Sequence, residues 1–201
     1  LRNARGQAKV EFLDAGHILG SAMVKFTRDN RTITFTGDLG NSPEPLLNDT
    51  ENPEGANYLV MESVYGDRVH EDRAERQERL KQAIEETRAR NGVLLIPSFS
   101  LERTQILLFE IDKLVEDGSV GKMPVYLDSP LAIRITEIFR RHSKIMNIDA
   151  QKYFKEDNDP FCFSGLILTE DARDSKAIHK SPNPKIIIAG AGMSHGGRIQ
   201  G

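Results

Sequence analysis

The chain has 201 residues, 38% of them apolar and 28% charged, with a formal net charge of −3. That composition is globular, with enough chain for one large core or two small ones. It excludes a transmembrane helix, because no apolar run approaches the roughly 20 residues one needs, and it excludes bulk electrostatic attraction to nucleic acid, although a local groove or a bound metal can supply positive charge to a nucleic-acid enzyme.

The single cysteine, Cys162, rules out an internal disulfide and a cysteine-rich zinc site, and a reduced, cytoplasmic setting is expected. The chain opens "LRNARGQAK", without Met and without a signal-peptide pattern. It is therefore expected to be a piece of something longer.

Three β-type runs come first: "AKVEFLDA", "SAMVKFTRD" and "RTITFTGD". The last two alternate apolar and polar residues around "DNR", which predicts a hairpin. After a loop rich in Asn, Pro and Glu, "NYLVMES" is nearly continuous in apolar residues, as in a strand covered on both faces. Strand and helix then alternate. Residues 71–90 place Leu80, Ala83, Ile84 and Thr87 at helical spacing, and Asn91-Gly92 ends that helix. "VLLIPSFS" reads as a strand, "RTQILLFEIDKLVEDG" as a helix and "MPVYLDS" as a strand. Asp128 or Ser129 then caps a helix with Pro130 in its first turn and Leu131, Ile135, Ile138 and Phe139 on one face. Residues 143–184 are less regular, with one helix around "DARDSKAIHK", and "PKIIIAGAG" closes the series. The alternation predicts an α/β fold in which "NYLVMES", "VLLIPSF", "MPVYLDS" and "KIIIAG" share one mainly parallel sheet. The division falls near residue 55, between a hairpin-rich part (1–55) and an α/β part (56–201). The hairpin strands are expected to leave edges and apolar faces that pair with another copy, pack loosely or aggregate.

Carboxylates and histidines that hold metals or do chemistry often stand where a rigid strand gives way to a loop. His17 in "LDAGH", Asp38 in "TFTGD" and Glu62 in "LVMES" all stand at such ends. Each has a plainer reading: a satisfied loop histidine, a turn-capping aspartate, and a strand-end glutamate that needs some partner. Taken together, the three leave a site and the plainer readings equally open. The glycine-rich "GAGMSHGG" after a strand suggests a phosphate-approaching loop, but as a dinucleotide fingerprint it fails, since position 195 is histidine rather than the third glycine. His142, His179 and the charged run 71–90 read as solvated helix surface. Ser98, Ser100 and Ser129 lack a nucleophile-elbow pattern.

The order of motifs is more specific than any one of them. "DAGHILGSA", "TFTGDLG", "MESVYGDRVH", "IPSFSLERTQILL", "PVYLDSPLAIRITEIF" and "IIIAGAGMSHGGR" together resemble the β-CASP branch of metallo-β-lactamase-fold nucleases, nearest to bacterial and archaeal RNA-processing members related to the mRNA 3′-end cleavage endonuclease. The resemblance implies part of a metallo-β-lactamase-like sheet followed by a β-CASP α/β domain. It implies that His17 is a zinc ligand, that Asp38 bridges two zinc ions, and that Glu62 supports a catalytic histidine and water. Gly192, Met193, Gly196, Gly197 and Arg198 would form a loop near the nucleic-acid channel. The family's His-x-His-x-Asp-His motif and two later histidine motifs do not occur in these residues. The resemblance thus implies the middle of a zinc-dependent ribonuclease, acting on RNA or alternatively on single-stranded DNA, with no membrane partner and a homodimer as one candidate assembly. The isolated chain is expected to hold zinc weakly and to cut no RNA. Two other functions stay open: a non-catalytic β-CASP module that binds RNA or protein, and a small-molecule metallohydrolase on the same fold.

Overall fold

The computed structural model describes residues 2–3, 6–67, 74–156 and 159–190. They fall into two compact units, residues 1–70 with 145–151 and residues 71–144 with 152–201.

In the first unit, β1 (Arg2–Asn3) and β2 (Gly6–Gln7) make a short antiparallel ladder. A four-stranded sheet follows, in the order β3 (Lys9–Asp14), β4 (Ala22–Arg28), β5 (Arg31–Phe35) and β6 (Tyr58–Val60). The predicted hairpin is present. Asp29 and Asn30, with φ of 49° and 60°, form the two-residue turn between β4 and β5, the positive-φ geometry that matches strand twist and that Asp and Asn tolerate.

The expectation for "NYLVMES" needs correction. Its strand β6 pairs in parallel with β5, Ile33 opposite Tyr58 and Phe35 opposite Val60, and so lies in the first sheet rather than with the later strands. Continuous apolarity marks a strand without choosing its partner. The choice is made by the loop of residues 36–57, which returns the chain beside β5. There Asn57 N–H donates to the Thr32 carbonyl at 2.9 Å and Thr36 N–H to the Val60 carbonyl at 3.0 Å.

The strand register sorts the two faces of this sheet. Phe12, Val24, Phe35 and Val60 form one row, and Val10, Phe26, Ile33 and Tyr58 the next, all on one face. Phe12 is 72% exposed, and Phe35, Tyr58 and Val60 are exposed as well. The opposite face carries Met23 and Thr34, both fully buried, and Leu46 and Leu47 of the loop are buried as well. Lys25 reaches across that face to the Glu54 carbonyl at 2.8 Å. The loop is itself anchored: the Asn147 side-chain amide donates to the carbonyls of Glu44, Pro45 and Leu47 at 3.0–3.1 Å while its oxygen accepts from Ala150 N–H.

The second unit is the expected α/β layer. Helix α1 (Ala74–Ala89) buries Ile84 and ends where Asn91 takes φ 49° and Gly92 N–H returns to the Thr87 carbonyl. Then come β7 (Val93–Ser98), α2 (Arg103–Glu116), β8 (Val125–Asp128) and α3 (Pro130–Arg141). Strand β9 (Leu166–Leu168), helix α5 (Ala172–Ile178) and strand β10 (Lys185–Gly190) complete the unit, while helix α4 (Ile148–Lys155) is divided, residues 148–151 counting with the first unit and 152–155 with the second. The sheet runs β7-β10-β8-β9, every pair parallel. Ile186, Val125, Ile188 and Leu127 share one of its faces and are fully buried.

Ser129 is the cap of α3, its hydroxyl accepting from Ala132 N–H at 3.2 Å. The buried face of α3, however, is Ala132, Ile133, Thr136 and Phe139, with Leu131 and Ile138 exposed. Two apolar stripes compete on this helix. The core takes the narrower one because Thr136 accepts from the buried Gln105 amide at 2.9 Å, a bond the wider stripe would forfeit. Among the described residues no helix is long and apolar enough to cross a membrane.

Helix α2 buries an acid. Asp112 is 3% exposed and accepts from the Tyr153 hydroxyl at 2.7 Å. Burial pushes its carboxyl up to about 6, the tyrosine bond offsetting only part of that rise; burial and the facing carboxylate also raise Tyr153. A carboxyl raised in the folded state binds its proton more tightly than in the unfolded chain. Its stabilising effect is complete below pH 4 and is lost as pH rises through about 6, a change of order 2–3 kcal/mol. Asp112→Asn keeps an acceptor for Tyr153 and removes the charge. Its stability, measured by urea unfolding, is expected to gain on the parent progressively between pH 4 and pH 7. A constant difference across that range would refute the assignment.

Candidate functional site

Each of the three strand-end residues owes its position to local backbone chemistry. His17 follows β3 in a tight loop. Asp14 Oδ1 accepts from Gly16 N–H at 2.8 Å, and Ser21 Oγ accepts from the N–H groups of both His17 (3.1 Å) and Ile18 (3.2 Å). Gly16 has φ 61°, a conformation that favours glycine there. Asp38 follows β5 after Gly37, also at positive φ. Glu62 stands two residues beyond β6 and is half-buried. Its Oε1 accepts from the backbone N–H of Leu39, and its own N–H donates to Thr36 Oγ1 at 3.3 Å.

The structure therefore brings all three residues into one neighbourhood. His17 Nε2 lies 3.9 Å from Asp38 Oδ2. Glu62 grips the peptide immediately after Asp38. The loops also touch directly, Gly40 N–H donating to the Ala15 carbonyl at 2.8 Å.

An imidazole nitrogen and a carboxylate oxygen are both donors that zinc takes. Two such donors on one tetrahedral ion stand about 3.4 Å apart, so the observed separation needs only a small side-chain rotation. Both side chains are substantially exposed, at 43% and 77%, and an ion can reach them. Among the described residues, no group of three or more His, Cys, Asp or Glu could hold a metal ion. The pair fits a metal as two of its ligands, not as a whole site.

Gly192, Met193, Gly196, Gly197 and Arg198 lie outside the described residues. His142 and His179 are exposed, as expected. The serines are engaged in structural bonds: Ser98 Oγ accepts from Thr104 Oγ1 at 3.1 Å, and Ser100 and Ser129 hydroxyls lie 3.3 Å apart at the carboxyl ends of β7 and β8. Sequence reasoning missed Ser21 and Gly40. A serine four residues beyond the histidine, in "HILGS", is the available signal for the first, since Ser hydroxyls commonly close such turns.

Comparison with known proteins adds four findings. Residues 104–201 match the Beta-Casp domain family. Over 194 residues the chain is 34% identical to Ribonuclease TTHA0252 of Thermus thermophilus, covering 96% of this chain and 44% of that protein. It is 30% identical over 189 residues to Endoribonuclease YSH1 of Saccharomyces cerevisiae, covering 91% of this chain and 24% of the relative, and 29% identical over 197 residues to Transcription termination factor FttA of Methanosarcina mazei, covering 95% and 31%. The chain thus spans less than half the length of each of these relatives.

Proposed function

The chain belongs to the β-CASP family, and from that premise we propose that it is part of a zinc-dependent ribonuclease with a metallo-β-lactamase-like first unit, in which His17 and Asp38 are metal ligands and Glu62 is a supporting acid. The observation that carries this reading is the convergence of His17 and Asp38 across two loops, with Glu62 bracing the second. The relatives' names, a ribonuclease and an endoribonuclease, support hydrolysis of RNA.

A metal bound here would act as a Lewis acid and lower the pKa of a water that attacks phosphorus. The chain's own residues prepare that chemistry. His17 offers Nε2, and its loop is held by Ser21. Asp38 offers a carboxylate suited to bridging two ions. Glu62 fixes the turn after Asp38 through Leu39 N–H, so that the carboxylate does not have to be ordered at the moment of reaction. The remaining ligands, and the histidine that would protonate the leaving oxygen, come from elsewhere in the longer protein.

On this reading the 201 residues alone hold zinc weakly and cut no RNA. Single-stranded DNA is the alternative substrate. A second copy of the chain is the candidate partner, supported by the open apolar rows of the first sheet. A cytoplasmic location is supported by the use of one cysteine in 201 residues. A purely non-catalytic module has no use for three acid and imidazole groups held together in this way, which argues against that alternative.

Metal removal tests the proposal. Chelator treatment of the intact protein is expected to abolish cleavage of a labelled single-stranded RNA, and added zinc to restore it. Undiminished cleavage by protein shown to be metal-free would reject the reading.

A further inference from the structure

Beyond Asp38, the loop between β5 and β6 contains no residue that the family resemblance assigns, yet one of its later side chains ties the two ligand loops together. Thr50 Oγ1 donates to the Ala15 carbonyl at 3.0 Å and lies 3.5 Å from the Gly40 carbonyl. Ala15 is two residues before His17, and Gly40 two residues after Asp38. Thr50 is itself held, its N–H donating to Ser42 Oγ at 2.9 Å. The next residue continues the clamp: Glu51 N–H donates to the Asp14 carbonyl at 3.0 Å, and Glu51 Oε2 accepts from Asp14 N–H at 2.5 Å.

The fit around Thr50 leaves no slack. A Cβ on Gly16 would stand 2.7 Å from Thr50 Oγ1, and a Cβ on Gly40 would stand 1.7 Å from the Gly16 carbonyl oxygen and 2.8 Å from His17 N. Backbone meets backbone at the peptide that leads into His17, and the threonine hydroxyl closes the junction. Ala15, whose carbonyl takes both Gly40 N–H and Thr50 Oγ1, is fully buried, so losing one donor is not compensated by water.

We propose that Thr50 is a positioning residue for the metal centre: its hydroxyl sets the separation of His17 and Asp38 by bonding the Ala15 carbonyl between their loops. This inference rests on the metal-site reading given above. Groups that orient ligands in this way change metal affinity by roughly 10- to 100-fold when removed.

The test uses the intact protein and zinc alone, with affinity measured by competition against a chromophoric chelator and folding by circular dichroism. Thr50→Val keeps the shape and removes the hydroxyl; Thr50→Ser keeps the hydroxyl. The expected result is zinc affinity weakened roughly tenfold or more in Thr50→Val, unchanged secondary structure, and affinity close to the parent in Thr50→Ser. His17→Ala serves as the reference. If His17→Ala loses zinc affinity while Thr50→Val stays within about twofold of the parent, too little for such a role, the clamp is refuted and the metal site stands. If Thr50→Ser weakens binding as much as Thr50→Val, or if Thr50→Val does not fold, the hydroxyl bond is not what places the ligands and the inference is overturned. If His17→Ala binds zinc as the parent does, the metal-site reading fails, and the inference with it.

Discussion

Asp38→Ala in the intact protein is expected to lower RNA cleavage by on the order of a thousandfold or more while leaving its thermal unfolding nearly unchanged. The two halves of that expectation have separate causes. The Asp38 side chain is mostly exposed and sits in a turn rather than a core, and substitutions of that kind usually change stability by no more than about 0.5 kcal/mol. The turn itself survives, because Glu62 holds Leu39 through the backbone. What is lost is the carboxylate opposite His17, which on the proposed reading is a metal ligand. Full activity of the variant on labelled single-stranded RNA, with zinc present, would remove Asp38 from the site.

The largest expected loss of stability comes from a residue with no part in the site. Lys185→Ala should destabilise the second unit by about 3 kcal/mol in urea unfolding. Lys185 opens β10 and is buried. Its ammonium donates to the Ile178 carbonyl at 2.7 Å, the Ser181 carbonyl at 2.8 Å and Ser181 Oγ at 3.1 Å. These bonds close the carboxyl end of α5, where the helix dipole favours a cation. Removing the ammonium strands acceptors that water reaches poorly. Lys185→Met, which retains the stem, should lose most of the same energy; a loss below about 0.5 kcal/mol in both variants would contradict this account.

The elements that were legible in the sequence are those whose signal is local. The turn at Asp29-Asn30, the Ser129 cap with Pro130 behind it and the stop at Asn91-Gly92 each depend on residues within a few positions, and all three stand in the structure. His17, Asp38 and Glu62 could be singled out because strand ends are visible as changes in residue pattern. Partner choice was not legible, because it depends on the loop that brings β6 beside β5. The short elements α4 and β9 were missed for a related reason: Ile148–Lys155 and Leu166–Leu168 are too brief to show periodicity. Thr50 was invisible as well, since its role arises from proximity to Ala15, 35 residues earlier in the chain.

The strand order of the second sheet has a consequence for how the protein is made. Translation delivers β7, β8 and β9 before β10, yet β10 lies between β7 and β8 and, among the described residues, is the sole ladder partner of β7. Until residues 185–190 leave the ribosome, β7 has no strand beside it, and the apolar side chains of β7 and β8 have no common sheet to join. A nascent chain therefore carries unpaired edges for the whole synthesis of about 90 residues, the interval in which unpaired strands invite aggregation and chaperones act.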